Sequence, residues 1–220
     1  MKIIDFHAHI LPGADHGSDC IETSMAQIEL AKAASVDIIV ATPHFYPHMH
    51  KLAKFLERRK NAYEAIYENS GIEILCGAEV LLCEKIENFV DIDLLCIEKT
   101  KTILLELPFS PFRNSYVNSV EALMDSGYKV VLAHAERYPA DSIEALLSVG
   151  AKIQLNASAV SGIFVKKHIK RWIDAGDVVA LGSDIHMLSK RHYNNFNRSQ
   201  KKLKGAFSDI MQRSCEYLNG

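Results

Sequence analysis

The sequence predicts a single α/β domain over residues 1–220, built on a parallel sheet that is either barrel-like or open and doubly wound. Three observations carry this. Short β-branched runs recur at residues 2–6, 36–41, 72–75, 102–105, 129–133, 152–155 and 178–181, each too short and too continuously apolar to be a surface helix. Between most of them apolar residues keep helical spacing. Glycines then close the helical stretches just before the next strand, as they do at helix C-termini.

Taken in order, the run 2–6 is a buried strand, and Ile21, Met25 and Ile28 mark the apolar stripe of the first helix. A strand at 36–41 comes next, then a long helix whose stripe is Leu52, Phe55, Leu56, Ala62, Tyr63 and Ile66, ending at Gly71. The strands from 72 and 102 succeed it, and Gly127, Gly150 and Gly176 separate the remaining helices from the strands that begin at 129, 152 and 178. The connecting loops are expected to be short. Residues 194–220 read as a closing helix, with Lys201, Lys202 and Lys204 on a solvated face.

Composition excludes several functions. Twenty-five Lys plus Arg against 27 Asp plus Glu give a net charge of −2, too little to grip a polyanion, so nucleic acid is not expected as a partner. No apolar run reaches the roughly 20 residues of a membrane span, and no secretory leader precedes Lys2, so no membrane insertion and a cytoplasmic location are expected. The five cysteines are scattered and form no Cys-x-x-Cys, which points to reduced thiols. None has an Arg six positions later, so a cysteine-phosphatase cradle is absent. Asp91-Ile92-Asp93 reads as a turn or helix cap.

Histidine carries the chemical information. The strands end in Phe6-His7-Ala8-His9, Thr42-Pro43-His44, Gly77-Ala78-Glu79, Glu106-Leu107-Pro108, His134-Ala135-Glu136-Arg137, Asn156, and Ser183-Asp184-Ile185-His186. In a parallel α/β fold all strand C-termini share one end, so these residues converge on one site. His7 and His9, at i and i+2, share one side of a strand, which suits two imidazoles on one ion. Glu79 and Glu106 come after apolar runs, where a carboxylate is rarely buried without a partner or a cation. Imidazole with carboxylate and no thiolate favours Mn²⁺, Fe or Zn²⁺, and the surplus of ligands suits two or three ions bridged by carboxylate, a type of centre that hydrolyses phosphate esters. Arg137 and Arg191, on the loops leaving ligand-bearing strands, offer forks for phosphate oxygens.

Asp5-Phe6-His7-Ala8-His9-Ile10-Leu11-Pro12-Gly13, Ala41-Thr42-Pro43-His44, Gly77-Ala78-Glu79, His134-Ala135-Glu136-Arg137-Tyr138 and Ser183-Asp184-Ile185-His186 together resemble the metal-dependent tyrosine phosphatases of bacterial capsule and exopolysaccharide systems. These belong to the polymerase-and-histidinol-phosphatase superfamily. The resemblance runs in order to about Arg191. It implies a distorted seven-stranded (β/α) barrel with three divalent metals, often Mn²⁺, and hydrolysis of phosphotyrosine on the tail of a partner tyrosine kinase. It places one metal on His7, His9, Glu79 and Asp184, a second on Glu79, Glu106 and His134, and a third on His44, His186 and the residue before Gly17. It gives Arg137 and Arg191 the phosphate. The family reads Asp-Asp-Gly where this chain has Asp15-His16-Gly17, so either His16 is the third-site ligand or Asp15 swings in.

The expected chemistry is in-line attack by a metal-activated hydroxide, with the arginines neutralising phosphate charge and little need for a general acid, since phenolate leaves readily. His48 and His50 stand near the mouth, and residues 107–114, with Pro108, Phe109, Pro111 and Phe112, are candidates for an aromatic wall. Three other readings stay open: a small-molecule phosphoesterase such as a histidinol-phosphate phosphatase, a metal-dependent amidohydrolase, and a non-catalytic kinase-binding regulator. The oligomeric state and the polysaccharide pathway served are not specified.

Overall fold

The computed structural model describes residues 1–219. The strands are β1 (Ile4–Ala8), β2 (Ile38–Ala41), β3 (His44–Phe45), β4 (Glu73–Cys76), β5 (Glu79–Leu81), β6 (Thr102–Glu106), β7 (Lys129–Leu132), β8 (Lys152–Asn156) and β9 (Val178–Gly182). All pairings are parallel, in the orders β1-β2-β4 and β3-β5-β6-β7-β8-β9. β2 runs into β3 across Thr42-Pro43, and β4 into β5 across Gly77-Ala78, so each pair is one interrupted strand. Proline lacks the N–H a ladder needs, which accounts for the first break. Backbone bonds from Gly77 N to Ala41 O (2.9 Å) and from Glu79 N to Pro43 O (3.1 Å) carry the alignment across the breaks.

Counting each interrupted strand once leaves seven, as expected for the distorted barrel. β9 and β1 belong to different sheets, yet their exits are joined by His9 N–H to Ile185 O at 3.1 Å and Asp184 N–H to His7 O at 2.8 Å. Below this seam Asp5 accepts from Ser183 N (2.7 Å) and from the Tyr193 hydroxyl (2.7 Å). The strands carry fully buried aliphatic side chains such as Ile39, Val80, Leu104, Val131, Ile153 and Leu181, so the sheet is packed within the core.

The helices are α1 (Ile21–Ala33), α2 (Leu52–Ser70), α3 (Asn114–Asp125), α4 (Ala140–Leu147), α5 (Ala157–Ser161), α6 (Lys167–Asp174), α7 (Lys190–Leu203) and α8 (Gly205–Leu218). Gly71, Gly127, Gly150 and Gly176 take φ of 62, 87, 99 and 77°, the left-handed conformation that ends a helix. No helix is long and apolar enough to cross a membrane among the described residues.

Three details depart from the sequence reading. α1 buries Ser24, Gln27, Ile28 and Ala31, leaving Ile21 exposed, because the Ser24 hydroxyl is satisfied by Ser18 (2.7 Å) and Cys20 O (3.1 Å) and can face inward. The connection from β5 to β6 is long and holds two 3₁₀ turns, Ile86–Asn88 and Ile92–Leu95. Ile86, Phe89, Ile92 and Leu95 recur every third residue, the 3₁₀ repeat, and left-handed Lys85 and Asp91 start each turn. The closing segment is two helices, broken at Lys204 (φ 51°, ψ −115°), with Gly220 outside the described residues.

Candidate metal centre

β1 is buried at every position, and its alternation turns Asp5 and His7 to one side, with His9 just beyond the strand. His44 and Glu79 open β3 and β5 and are register partners, so the strand breaks set them side by side. Glu106 ends β6. His134 and Asp184 lie two residues beyond β7 and β9 with φ of 32 and 52°, left-handed turns that fold their side chains back over the sheet. His186 comes two residues later.

These side chains meet. Glu79, fully buried, has Oε2 at 3.1 Å from His7 Nε2, 3.2 Å from His9 Nε2 and 3.1 Å from His44 Nδ1, while its Oε1 lies 2.6 Å from His134 Nε2. Glu106 stands 3.6 Å from His134 and 3.7 Å from His44. Asp184 Oδ1 faces His186 Nδ1 (3.3 Å), His9 (3.6 Å) and His7 (3.8 Å). Arg137 pairs with Asp184 Oδ2 from the rim.

Burial destabilises this arrangement unless charge is compensated. Burial favours the neutral ring of His9, but Asp15 and Glu79 outweigh it and carry its pKa up to about 10. His7 rises likewise, against burial, through Glu79. Burial takes His44 down to about 3 and lowers His134. Glu79 is held well below the carboxylate range by the facing imidazoles despite burial, and Asp184 is lowered against burial by His186, His7 and Arg137. Burial and the Glu79 charge push Glu106 up to about 7.

The donor set fits divalent cations. Three groups, His9/His44/His186, His7/His9/Glu79 and His44/Glu79/Glu106, each bring their ligand atoms within 4.8 Å of one another. Imidazole nitrogens face each other at 3.0 Å (His7–His9) and 3.3 Å (His44–His186), and buried Asp184 Oδ1 and His44 Nδ1 have no hydrogen-bond partner. Cations between these atoms would satisfy all of them.

Of the residues singled out in the sequence, His7, His9, His44, Glu79, Glu106, His134, Asp184 and His186 converge here. The Asp15 oxygens take His9 Nδ1–H (2.7 Å), His44 N–H (2.9 Å) and Gly17 N–H (2.8 Å). His16 stands exposed beside His44 and His186, ring centroids 4.6 and 4.7 Å away. Gly17 is required, since a Cβ there would lie 2.5 Å from His9 Cβ and O. Arg191 is exposed in the first turn of α7 and is not among the residues lining the cavity. His50 accepts from Tyr46 N–H (3.2 Å) and His48 is exposed, neither lining it.

The cavity over the cluster measures about 740 Å³ and is bordered by Tyr46, Phe109, Met187 and Leu188. Phe109 lies in the expected aromatic loop, whereas Tyr46, Met187 and Leu188 carried no sequence signal. Gln154 also escaped the sequence reading; as a buried amide within an apolar strand it was detectable. No cysteine lines the cavity, and burial pushes the Cys76 and Cys96 thiols up to about 12.

A parallel β/α wall with nested histidine and carboxylate sets at its C-terminal edge is the build of a metal-centre hydrolase. The chain belongs to the capsular polysaccharide synthesis family CpsB/CapC, whose model matches residues 3–215. It is 29% identical over 211 residues to the tyrosine-protein phosphatase YwqE of Bacillus subtilis (strain 168), covering 87% of this chain and 80% of that protein. It also superposes with a TM-score of 0.81 and 25% identity, over 99% of this chain and 95% of the other, on a structure from the pair YwqE of Bacillus subtilis and CpsB of Streptococcus pneumoniae, unique metal-dependent tyrosine phosphatases. An amidohydrolase from Mycoplasma synoviae shares the fold alone, at a TM-score of 0.54 and 15% identity over 99% of this chain and 86% of that one.

Proposed function

We propose that the whole chain works as one cytoplasmic protein-tyrosine phosphatase that uses Mn²⁺ and acts on the phosphotyrosine tail of a bacterial tyrosine kinase controlling capsule or exopolysaccharide synthesis. The observation that carries this is Glu79, buried among His7, His9, His44 and His134 at the floor of a cavity whose rim holds the Arg137 guanidinium. Family membership and likeness to YwqE support the substrate class.

His7, His9, Glu79 and Asp184 would hold one divalent ion, Glu79, Glu106 and His134 a second, and His16, His44 and His186 a third. When bound, the ions supply Lewis acidity that neutralises phosphate charge and makes water nucleophilic near neutral pH. Arg137, anchored through Asp184 and lining the cavity, has further N–H groups to turn toward phosphate oxygens, where charge builds in the transition state. Arg191, exposed at the start of α7, would be a second phosphate-binding group, as the resemblance implies. Tyr46 and Phe109 provide faces for the phenyl ring. Phenolate is a good leaving group, so no general acid is assigned. Phe109, Met187 and Leu188, exposed by 89, 68 and 56%, give the mouth an apolar rim suited to a protein segment.

The test is phosphate release from a phosphotyrosine peptide by Mn²⁺-loaded protein, beside a chelated sample and one given histidinol phosphate. Fast, chelator-sensitive turnover of the peptide alone is expected; preference for histidinol phosphate would overturn the substrate assignment.

A further inference from the structure

Gln154 is fully buried in β8, in the polar layer between His7 and His134. A buried amide must commit its oxygen and its N–H groups to fixed partners, and here the direction of each bond can be read. The Gln154 atom facing the His134 backbone N–H, at 2.7 Å, has to be the oxygen, because a backbone N–H can only donate. The same oxygen lies 3.1 Å from His7 Nδ1, so that nitrogen carries a proton and donates. His7 Nε2 is then the nitrogen directed to Glu79 and His9.

The other end of the amide is fixed too. Gln154 Nε2 donates to Asn156 Oδ1 at 3.0 Å, so the Asn156 amide must turn its Nδ2 outward, and it donates to Asp184 Oδ2 at 2.9 Å. Asn156 lies two residues along β8, on the same side of the strand. Asp184 is left with Oδ1 unpartnered and aimed at His7, His9 and His186. On the neighbouring strand β9, Gly182 makes room: a Cβ there would sit 2.6 Å from His7 Cβ and 2.7 Å from Gln154 Nε2.

We propose that Gln154 is a positioning residue that polarises the site: one amide, oriented by the His134 backbone, selects the nitrogen of His7 and, through Asn156, the oxygen of Asp184 that face a divalent cation. It touches neither cation nor substrate. This rests on the metal-site part of the functional reading. The device resembles the hydrogen-bond partners that orient imidazole ligands in other metal sites, whose loss typically weakens metal binding about 10–100-fold.

Zn²⁺ is the probe, because it is diamagnetic. Zinc affinity is measured by competition with a chromophoric chelator, the His7 Nδ1–H resonance is followed by ¹⁵N-edited NMR of the zinc-loaded protein, and melting is followed in excess chelator. Gln154→Met keeps the side chain's length and removes both ends of the relay. It is expected to lose the slowly exchanging Nδ1–H signal and to bind zinc at least about 10-fold more weakly. Gln154→Glu keeps the acceptor for both His7 and His134 but loses the donor to Asn156 Oδ1, and is expected to keep the signal and to bind zinc more weakly than wild type yet more tightly than Gln154→Met. A folded Gln154→Met protein with wild-type affinity and signal, changed only in metal-free melting, overturns the relay and leaves a packing role. Should Gln154→Met not fold, a folded Gln154→Glu protein that loses the signal, or that binds zinc as tightly as wild type, overturns it instead. A wild-type protein that takes up no zinc overturns the functional reading and the relay together.

Discussion

Tyr193→Phe tests whether the strut beneath the metal centre is as important as its geometry implies. The Tyr193 hydroxyl donates to Asp5 Oδ2 at 2.7 Å, in a pair that is fully buried on the Asp5 side and 2% exposed on the Tyr193 side. Asp5 Oδ1 is served separately by Ser183 N–H at 2.7 Å, so removing the hydroxyl strands Oδ2 alone. The ring stays and packing changes little. A hydrogen bond to a buried charged group is worth about 1.5–3 kcal/mol, which for a chain of this size corresponds to a melting shift of roughly 3–12 °C. Burial raises the Asp5 pKa above its ordinary 3.8, and the Tyr193 donor partly offsets this. A carboxyl whose folded pKa is raised loses stability as pH climbs from the unfolded pKa through the folded one. Removing the donor lifts the folded pKa further, so the cost of the substitution is greatest at neutral pH and shrinks as the pH falls toward about 4. Urea unfolding of chelator-treated wild type and variant at about pH 7.5 and about pH 4.5 measures both quantities. A cost below about 0.5 kcal/mol at the higher pH, or one that grows on acidification, refutes the reasoning.

Four other outcomes are expected. Arg137→Ala should lower kcat/KM on a phosphotyrosine peptide about 100-fold at unchanged metal content, with Arg137→Lys recovering only part because it lacks the planar fork; steady-state kinetics with metal analysis checks this. His16→Ala should reduce bound ions by one per chain without altering metal-free melting, as the side chain is exposed, and His16→Asp should restore the ion, both read by elemental analysis. Metal binding should release protons and tighten from about pH 6 to about pH 8, since Glu106 is held up at about 7 and His9 at about 10 and both must deprotonate to ligate; calorimetry in buffers of different ionisation enthalpy would show no difference if this is wrong. Each Mn²⁺ at about 100 times its dissociation constant should stabilise the fold by about 2.7 kcal/mol, so filling even one site should raise melting by roughly 5–11 °C over a chelated sample in a thermal scan.

Much of the centre was legible in the sequence because parallel topology gathers strand ends. His7, His9, His44, Glu79, Glu106, His134, Asp184 and His186 could be placed together without knowing a single contact. The interrupted strands were not legible, since Pro43 and Gly77 signal a break without showing that the chain resumes the same path beyond it. Nor was the role of Asp15, which depends on a loop folding back 29 residues in sequence onto the His44 backbone. The α1 stripe misled because apolar Ile21 outranks Ser24 on any hydropathy scale, while burial of the serine is offset by two hydrogen bonds. Arg137 and Arg191 looked equivalent in sequence, and only the structure separates one lining the cavity from one exposed on a helix.

The seam between the first and last strands has a consequence for how the protein comes into being. Asp5 waits for partners 178 and 188 residues away, so during synthesis its carboxyl and the neighbouring histidines emerge from the ribosome long before anything can close over them. Closing so long a loop is entropically unfavourable and slow, which makes closure of the seam the late step of folding. A nascent chain stalled before Tyr193 therefore exposes a half-built set of imidazoles and carboxylates, able to catch ions in the wrong geometry, and only a chain that has reached Tyr193 can close the seam beneath the centre.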